Sequence, residues 1–252
     1  MGQSKIEWTE QTWNPSTGCD KVSSGCKNCY AETMAKRLQG MGTPGYKNGF
    51  KFTLMPERLA QPLYKKRPTK YFVNSMSDLF HEETPYSYLD EIFKVIEATP
   101  HHTYQILTKR EENMAAYFKG KKLPQNVWLG VTVENRKTRH RIEFLREIDA
   151  KIRFLSVEPL LEDVGQLNLT GVHWVIVGGE SGNKARPMKK EWALSIKKQC
   201  EISGTAFFFK QWGTWGADGV RRNKKSNGKE LNGKIYQNYP EQIKDYFKIT
   251  HA

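Results

Sequence analysis

Long apolar runs are missing from this chain. No stretch of its 252 residues approaches the length needed to cross a bilayer. The opening Met1-Gly2-Gln3-Ser4-Lys5-Ile6 has neither a signal-peptide core nor a hydroxyl at the myristoylation position. A soluble, cytoplasmic protein with no membrane partner is therefore expected. Cysteine is scarce: four residues, three of them clustered, do not make the disulfide framework of a small secreted domain. No nucleophile-elbow sequence supports a Ser/His/Asp hydrolase, and no helix-turn-helix or zinc-finger pattern is found. Acidic residues are in deficit, 27 against 40 Lys plus Arg, which leaves a net charge of +13. Such an excess attracts polyanions, of which nucleic acid is the commonest.

The positive charge is clustered. Between 221 and 234, Arg221, Arg222, Lys224, Lys225, Lys229 and Lys234 face Glu230 alone. Arg136, Lys137, Arg139 and Arg141 form a second set, at the expected start of a helix, and Lys65, Lys66, Arg67 and Lys70 a third. Arg221, Arg222, Lys224 and Lys225 are candidate nucleic-acid contacts, with Tyr236 and Tyr239 close enough in sequence to stack on bases. A solubilising tail with ordinary aromatic packing is the competing account of the same segment.

What stands out among the residues present is a short polar loop carrying Cys19, Cys26 and Cys29, with six residues in the first gap and two in the second. Three soft thiolate donors this close can converge on one metal centre. A four-iron cluster held by three cysteines leaves one iron open to a ligand, whereas zinc requires a fourth donor and reads as a structural staple. Downstream, short apolar runs alternate with amphipathic segments. Tyr71–Val73, Tyr104–Leu107, Val127–Val131, Ile152–Leu155, Val172–Val177 and Ala206–Phe209 read as strands, and Ile6–Thr12 is a candidate earlier one. Helical patterns cover Tyr30–Leu38, the faces of Leu89, Ile92, Phe93 and Ile96, of Met114 and Phe118, of Ile142, Leu145 and Ile148, and Lys189–Ile202. The alternation implies an α/β fold of about six parallel strands closed into a partial (β/α) barrel, with an open doubly wound sheet as the alternative. The expected division is a barrel domain over 1–213, including the cysteine loop, and a basic extension over 214–252. Polar groups recur at the strand exits, the end where such folds place their ligands.

The strings WNPSTGC…SSGCKNCYAE, YFVNSMSDLF, LTKR, WLGVTVEN, FLSVEPLL and VIVGGESG, spread over residues 6–213, resemble a phage-associated family of three-cysteine-motif proteins that is similar to divergent radical S-adenosylmethionine (SAM) enzymes. The resemblance implies that Cys19, Cys26 and Cys29 hold a [4Fe–4S] cluster whose fourth iron binds SAM, that the cluster cleaves SAM reductively to start hydrogen abstraction, and that a flavodoxin- or ferredoxin-type protein supplies the electron. The usual spacing in such enzymes has a first gap of three with an aromatic residue just before the third cysteine. Here the first gap is six, Asn28 precedes Cys29, and the aromatic Tyr30 follows it.

On this reading Tyr30 is a candidate to face the adenine. Asn74, Ser75 and Ser77 are candidates for the methionine amino group, and Lys109 for its carboxylate. Thr132, Glu134, Ser156 and Glu158 are candidates for the ribose hydroxyls or the amino group, and Gly178 and Gly179 for close backbone approach to the adenine. Base modification or lesion repair (DNA repair if the substrate is DNA) is the expected reaction on a nucleic-acid substrate, and the sequence does not separate DNA from RNA. The alternative is a non-enzymatic nucleic-acid-binding protein whose zinc takes His81 or Cys200 as fourth donor. Against it, no neighbouring His or Cys completes the usual paired spacing. Cys200 is expected to be a buried core thiol, and His101 and His102 to lie at the surface.

Overall fold

The structure, a computed structural model, describes Ser4 and residues 6–240. Seven strands form one sheet: β1 Gln11–Trp13, β2 Lys70–Val73, β3 Thr103–Thr108, β4 Val127–Thr132, β5 Ile152–Val157, β6 Trp174–Gly178 and β7 Ala206–Gln211. All are parallel, and their spatial order is their order in the sequence. That order separates the two architectures left open above. A doubly wound sheet reverses direction about a central strand. Strands added steadily in one direction through right-handed crossovers keep every helix on one face, so the sheet curls as a half-barrel. The count is seven because β1 is a true strand, pairing Gln11, Thr12 and Trp13 with Tyr71, Phe72 and Val73.

The helices on this sheet are α1 Tyr30–Gly40, α2 Tyr86–Glu97, α3 Glu111–Phe118, α4 Arg141–Arg146 and α5 Lys190–Ser203. One helical expectation shifts. Of the basic set at 136–141, only Arg141 opens the helix. Asn135 instead caps a single 3-10 turn, Arg136–Thr138, accepting from the Thr138 amide at 3.2 Å. Helix α4 starts afterwards and ends before Ile148.

The chain divides into two compact units: residues up to 131 with 143–151, and 132–142 with 152 onward. In the first, Trp13, Tyr71 and Tyr104 are fully buried, and Leu89, Ile92 and Ile96 of α2 are buried as well. The indole N–H of Trp13 donates to the Arg58 carbonyl at 2.8 Å, which satisfies its polar edge inside the core. His102 belongs to this core as well. It is 1% exposed and sits edge-on to Tyr71, so the expected surface position is corrected. Burial, and then the neighbouring His101, hold its pKa below the ordinary value, which keeps the buried ring neutral.

In the second unit, Phe154, Trp174, Phe208 and Trp212 form the core with Ile196 and Cys200 of α5. Cys200 is the buried thiol expected, its pKa pushed up to about 12 by burial and then by Glu201. Residues 214–240 pack within this unit. The indole of Trp174 donates to the Asn238 carbonyl at 2.9 Å, Tyr239 stacks on the same indole, and Phe208 bridges Gln237 in antiparallel fashion. The last part of the expected extension, 241–252, lies outside the described residues.

Candidate functional site

In the first unit the cysteine loop leaves the C-terminal end of β1 and is fastened to the exit of β2. Asn74 adopts a left-handed conformation, φ 57°, which turns the chain out of β2. Its side chain donates to Ser16 Oγ at 2.9 Å and accepts from the Ser16 amide at 3.3 Å. Ser75 Oγ and the Met76 amide both donate to Asn14 Oδ1 at 3.1 Å. Ser77 Oγ donates to the Gly18 carbonyl at 2.6 Å, and the Gly18 amide donates to the Met76 carbonyl at 2.9 Å. Gly18 must be glycine. Its φ is 78°, and a Cβ there would fall 2.2 Å from the Lys51 carbonyl oxygen. The side chains of Asn74, Ser75 and Ser77 are thus committed to holding residues 14–18 in place. The hydroxyl of Tyr30, on the first turn of α1, donates to the Ser75 carbonyl at 2.5 Å.

All three loop cysteines are reduced and partly exposed. Cys26 ends a 3-10 turn, Ser24–Cys26, and Cys29 is the N-cap of α1, where unpaired helix amides favour an anion. Cys29 also packs against a small core of Ala31, Ala35, Tyr46 and Met76. The two other sulfurs differ electrostatically. Burial and then the Asp78 carboxylate push the Cys19 thiol up to about 11, against the opposing pull of Arg110. Cys26 is also desolvated by burial, but the Lys109 ammonium, the Val22 and Ser23 amides and the Ser23 hydroxyl bring it below the ordinary thiol value.

Arg110 is the residue that inspection of the sequence passed over. It stands next to Lys109, at the end of β3, and donates from Nη1 to Cys19 Sγ at 3.3 Å. Its neighbour His81 stacks flat on Phe52, with ring centroids 4.1 Å apart. Asp20, His81 and Glu83 bring possible ligand atoms within 4.8 Å of one another. However, His81 Nδ1 accepts from the Glu83 amide at 3.2 Å, so Nε2 carries the ring proton and faces Asp20 Oδ2 at 3.4 Å.

In the second unit the strand exits carry ion pairs. Glu134, fully buried, accepts from Arg141 Nη1 at 2.8 Å, and the same nitrogen donates to the Thr132 carbonyl at 2.9 Å. Among the described residues, Thr132 Oγ1 is buried without a hydrogen-bond partner. Ser156 is buried, its carbonyl accepting from the Val133 amide at 3.0 Å. Glu158 takes Lys210 Nζ on both oxygens, at 2.9 and 2.8 Å. Glu180 holds Arg186 in a fork. Gly178 packs on the Glu158 carboxylate, and a Cβ on Gly179 would fall 1.9 Å from the Trp212 carbonyl oxygen. The close approach these two glycines permit is to the chain itself.

The basic run lines an open groove of about 590 Å³ with Ser181, Asn183 and Thr214, to which Arg221, Arg222 and Lys224 contribute. Two of its cations are already used within the fold. Arg221 donates to the Asn183 carbonyl, and Arg222 pairs with Asp218 at 2.9 and 2.6 Å. Lys224 and Lys225 are exposed on a single turn capped by Asn223. Tyr239 packs on Trp174, and Tyr236 meets Phe207 and the Lys197 ammonium.

Fold and site together define a class: a singly wound parallel α/β sheet whose first strand exit presents a fastened three-cysteine loop. More particularly, the chain belongs to the family described as "Protein of unknown function (DUF5131)", matched over residues 3–240. No curated relative matches the chain. Among solved structures it is similar to spore photoproduct lyase complexed with dinucleoside spore photoproduct, at 13% identity and a TM-score of 0.47, covering 99% of this chain and 74% of that one. A variant of that enzyme with dinucleoside spore photoproduct gives 14% and 0.48 over the same shares. Another, with bound AdoMet and dinucleoside spore photoproduct, gives 13% and 0.44, covering 79% of this chain and 62% of that one.

Proposed function

We propose that this protein is a radical SAM enzyme acting on nucleic acid, with Cys19, Cys26 and Cys29 as the protein ligands of a [4Fe–4S] cluster. The observation that carries the reading is the donor set. Three free, partly exposed thiols lie on one fastened loop, and polar groups reach two of the sulfurs: Arg110 Nη1 donates to Cys19 at 3.3 Å, and the Ser23 hydroxyl lies 3.7 Å from Cys26. N–H donors stabilise the cysteinate that metal binding requires and tune iron–sulfur centres. When bound, such a cluster supplies the electron that cleaves SAM to methionine and a 5′-deoxyadenosyl radical.

The chain's own residues do the positioning. Lys109, whose ammonium acts on Cys26, is assigned to the SAM carboxylate. Asn74, Ser75, Ser77 and Tyr30 are assigned to holding the loop. In the second unit the orphaned Thr132 hydroxyl is assigned to a hydroxyl-bearing ligand, since a buried polar atom without a partner is costly. Glu134 and Glu158 serve through the cations they hold. A nucleic-acid substrate is supported by the charge of +13 and by the groove at Arg221 and Lys224. The electron donor is assigned to the flavodoxin or ferredoxin type.

Anaerobic reconstitution tests the reading. The protein is expected to take up iron and sulfide, turn brown and cleave SAM reductively. Replacing any one of Cys19, Cys26 or Cys29 by Ala should abolish cluster binding. Stoichiometric, tightly held zinc with no cluster after iron and sulfide addition would overturn the proposal in favour of a structural centre.

A further inference from the structure

Resting on the cluster reading above, we propose that Arg110 is a positioning residue that donates a hydrogen bond to the Cys19 sulfur and thereby raises the reduction potential of the cluster. Its side chain is 3% exposed and each of the three guanidinium nitrogens is engaged. Nε donates to Glu82 Oε2 at 2.8 Å, Nη2 to the Asp20 carbonyl at 3.4 Å, and Nη1 to Cys19 Sγ at 3.3 Å while lying 3.4 Å from Asp78 Oδ2. Asp78 is fixed in turn. It accepts from Thr108 Oγ1 at 2.7 Å, from the Phe80 amide at 3.1 Å and from the Lys109 amide at 2.9 Å. The Arg110 amide returns to Thr108 Oγ1 at 2.9 Å. The fork is therefore locked from behind and aimed at one sulfur.

A planar guanidinium can serve these acceptors together, whereas a lysine ammonium has no such fixed geometry. With its donors committed to the chain, Arg110 is not available to a SAM carboxylate, which leaves that role to Lys109. The surrounding carboxylates of Asp78 and Glu82 offset the cationic charge at a distance, so the directional N–H···S contact is what reaches the cluster. Adding one electron increases the negative charge on the cysteine sulfurs. A donor already in place stabilises the reduced form, so the potential rises. No proton moves, and in the assay dithionite supplies the electron.

The test is a potentiometric titration, followed by EPR, of reconstituted wild type, Arg110→Lys and Arg110→Met. In Arg110→Met the equilibrium constant for one-electron reduction should fall about tenfold, a downward shift of about 59 mV for a one-electron couple. Arg110→Lys should fall by less. Variants that take up wild-type iron and sulfide and titrate at the wild-type potential would overturn the proposal and leave the cluster reading standing. Wild type that takes up no iron and sulfide would instead remove the reading beneath it. Should Arg110→Met fail to fold, wild type labelled with guanidino-15N arginine decides. A 15N hyperfine coupling to the dithionite-reduced centre is expected in pulsed EPR, and its absence overturns the proposal.

Discussion

Replacing Glu134 separates a ligand-binding carboxylate from one that holds the fold together. Glu134 is 0% exposed and Arg141 is 4% exposed, and their charged atoms are 2.8 Å apart. Unit charges at that separation attract by about 6 kcal/mol at an effective dielectric of about 20. Desolvating both groups offsets much of this gross figure. The cost of removing one partner is larger than the net worth of the pair, because a guanidinium then stays buried without its counter-charge. Glu134→Ala is expected to lose about 3–5 kcal/mol of stability. The paired change Glu134→Leu with Arg141→Met should recover most of it, since apolar replacement of both buried ions is often neutral. Urea denaturation followed by tryptophan fluorescence and by far-ultraviolet circular dichroism measures both. A loss under about 1 kcal/mol for Glu134→Ala would refute the structural role and return Glu134 to the ribose assignment.

Two further outcomes are expected. Gly18→Ala forces a Cβ into the Lys51 carbonyl at a φ of 78°, so the loop must move. The variant should lose about 1–3 kcal/mol and most of its capacity for iron, and wild-type iron content would contradict the fastening of the loop. Asp218, held down to about 2 from the ordinary 3.8 by Arg222 and then by the Val220 amide, should titrate near 2 by carbon-detected NMR. Because the folded value is depressed, the pair's contribution is present at neutral pH and fades as pH falls from about 3.8 through about 2. An ordinary midpoint would show that the Arg222 contact does not persist in solution.

Much of the architecture was legible because buried parallel strands read as unbroken apolar runs, and Val127–Thr132 and Trp174–Gly178 are buried at every position. Strand β1 was harder to bound, since three residues are too few for any periodicity. Local chemistry was legible where the chemistry-bearing residues are near in sequence, as in the cysteine loop, whereas the pairing of Arg222 with Asp218 was not read from it. Long-range partnership was not legible. Nothing beside Gly179 announces that Trp212 presses on it, and nothing beside Arg110 announces Cys19. The serines and asparagine after β2 show the same limit: their polarity was visible, while the loop that absorbs it lies far back in the chain.

That attachment has a consequence for the life of the protein. Zinc-finger peptides collapse when stripped because the ion itself is their scaffold. Here the cradle is tied by serines, an asparagine and a glycine to the neighbouring strand, so the chain itself supplies bonds that hold its shape. If the proposed cluster is what the loop holds, iron shortage should leave an intact receptacle that can be charged when supply returns, with output following metal availability more than synthesis of new chains.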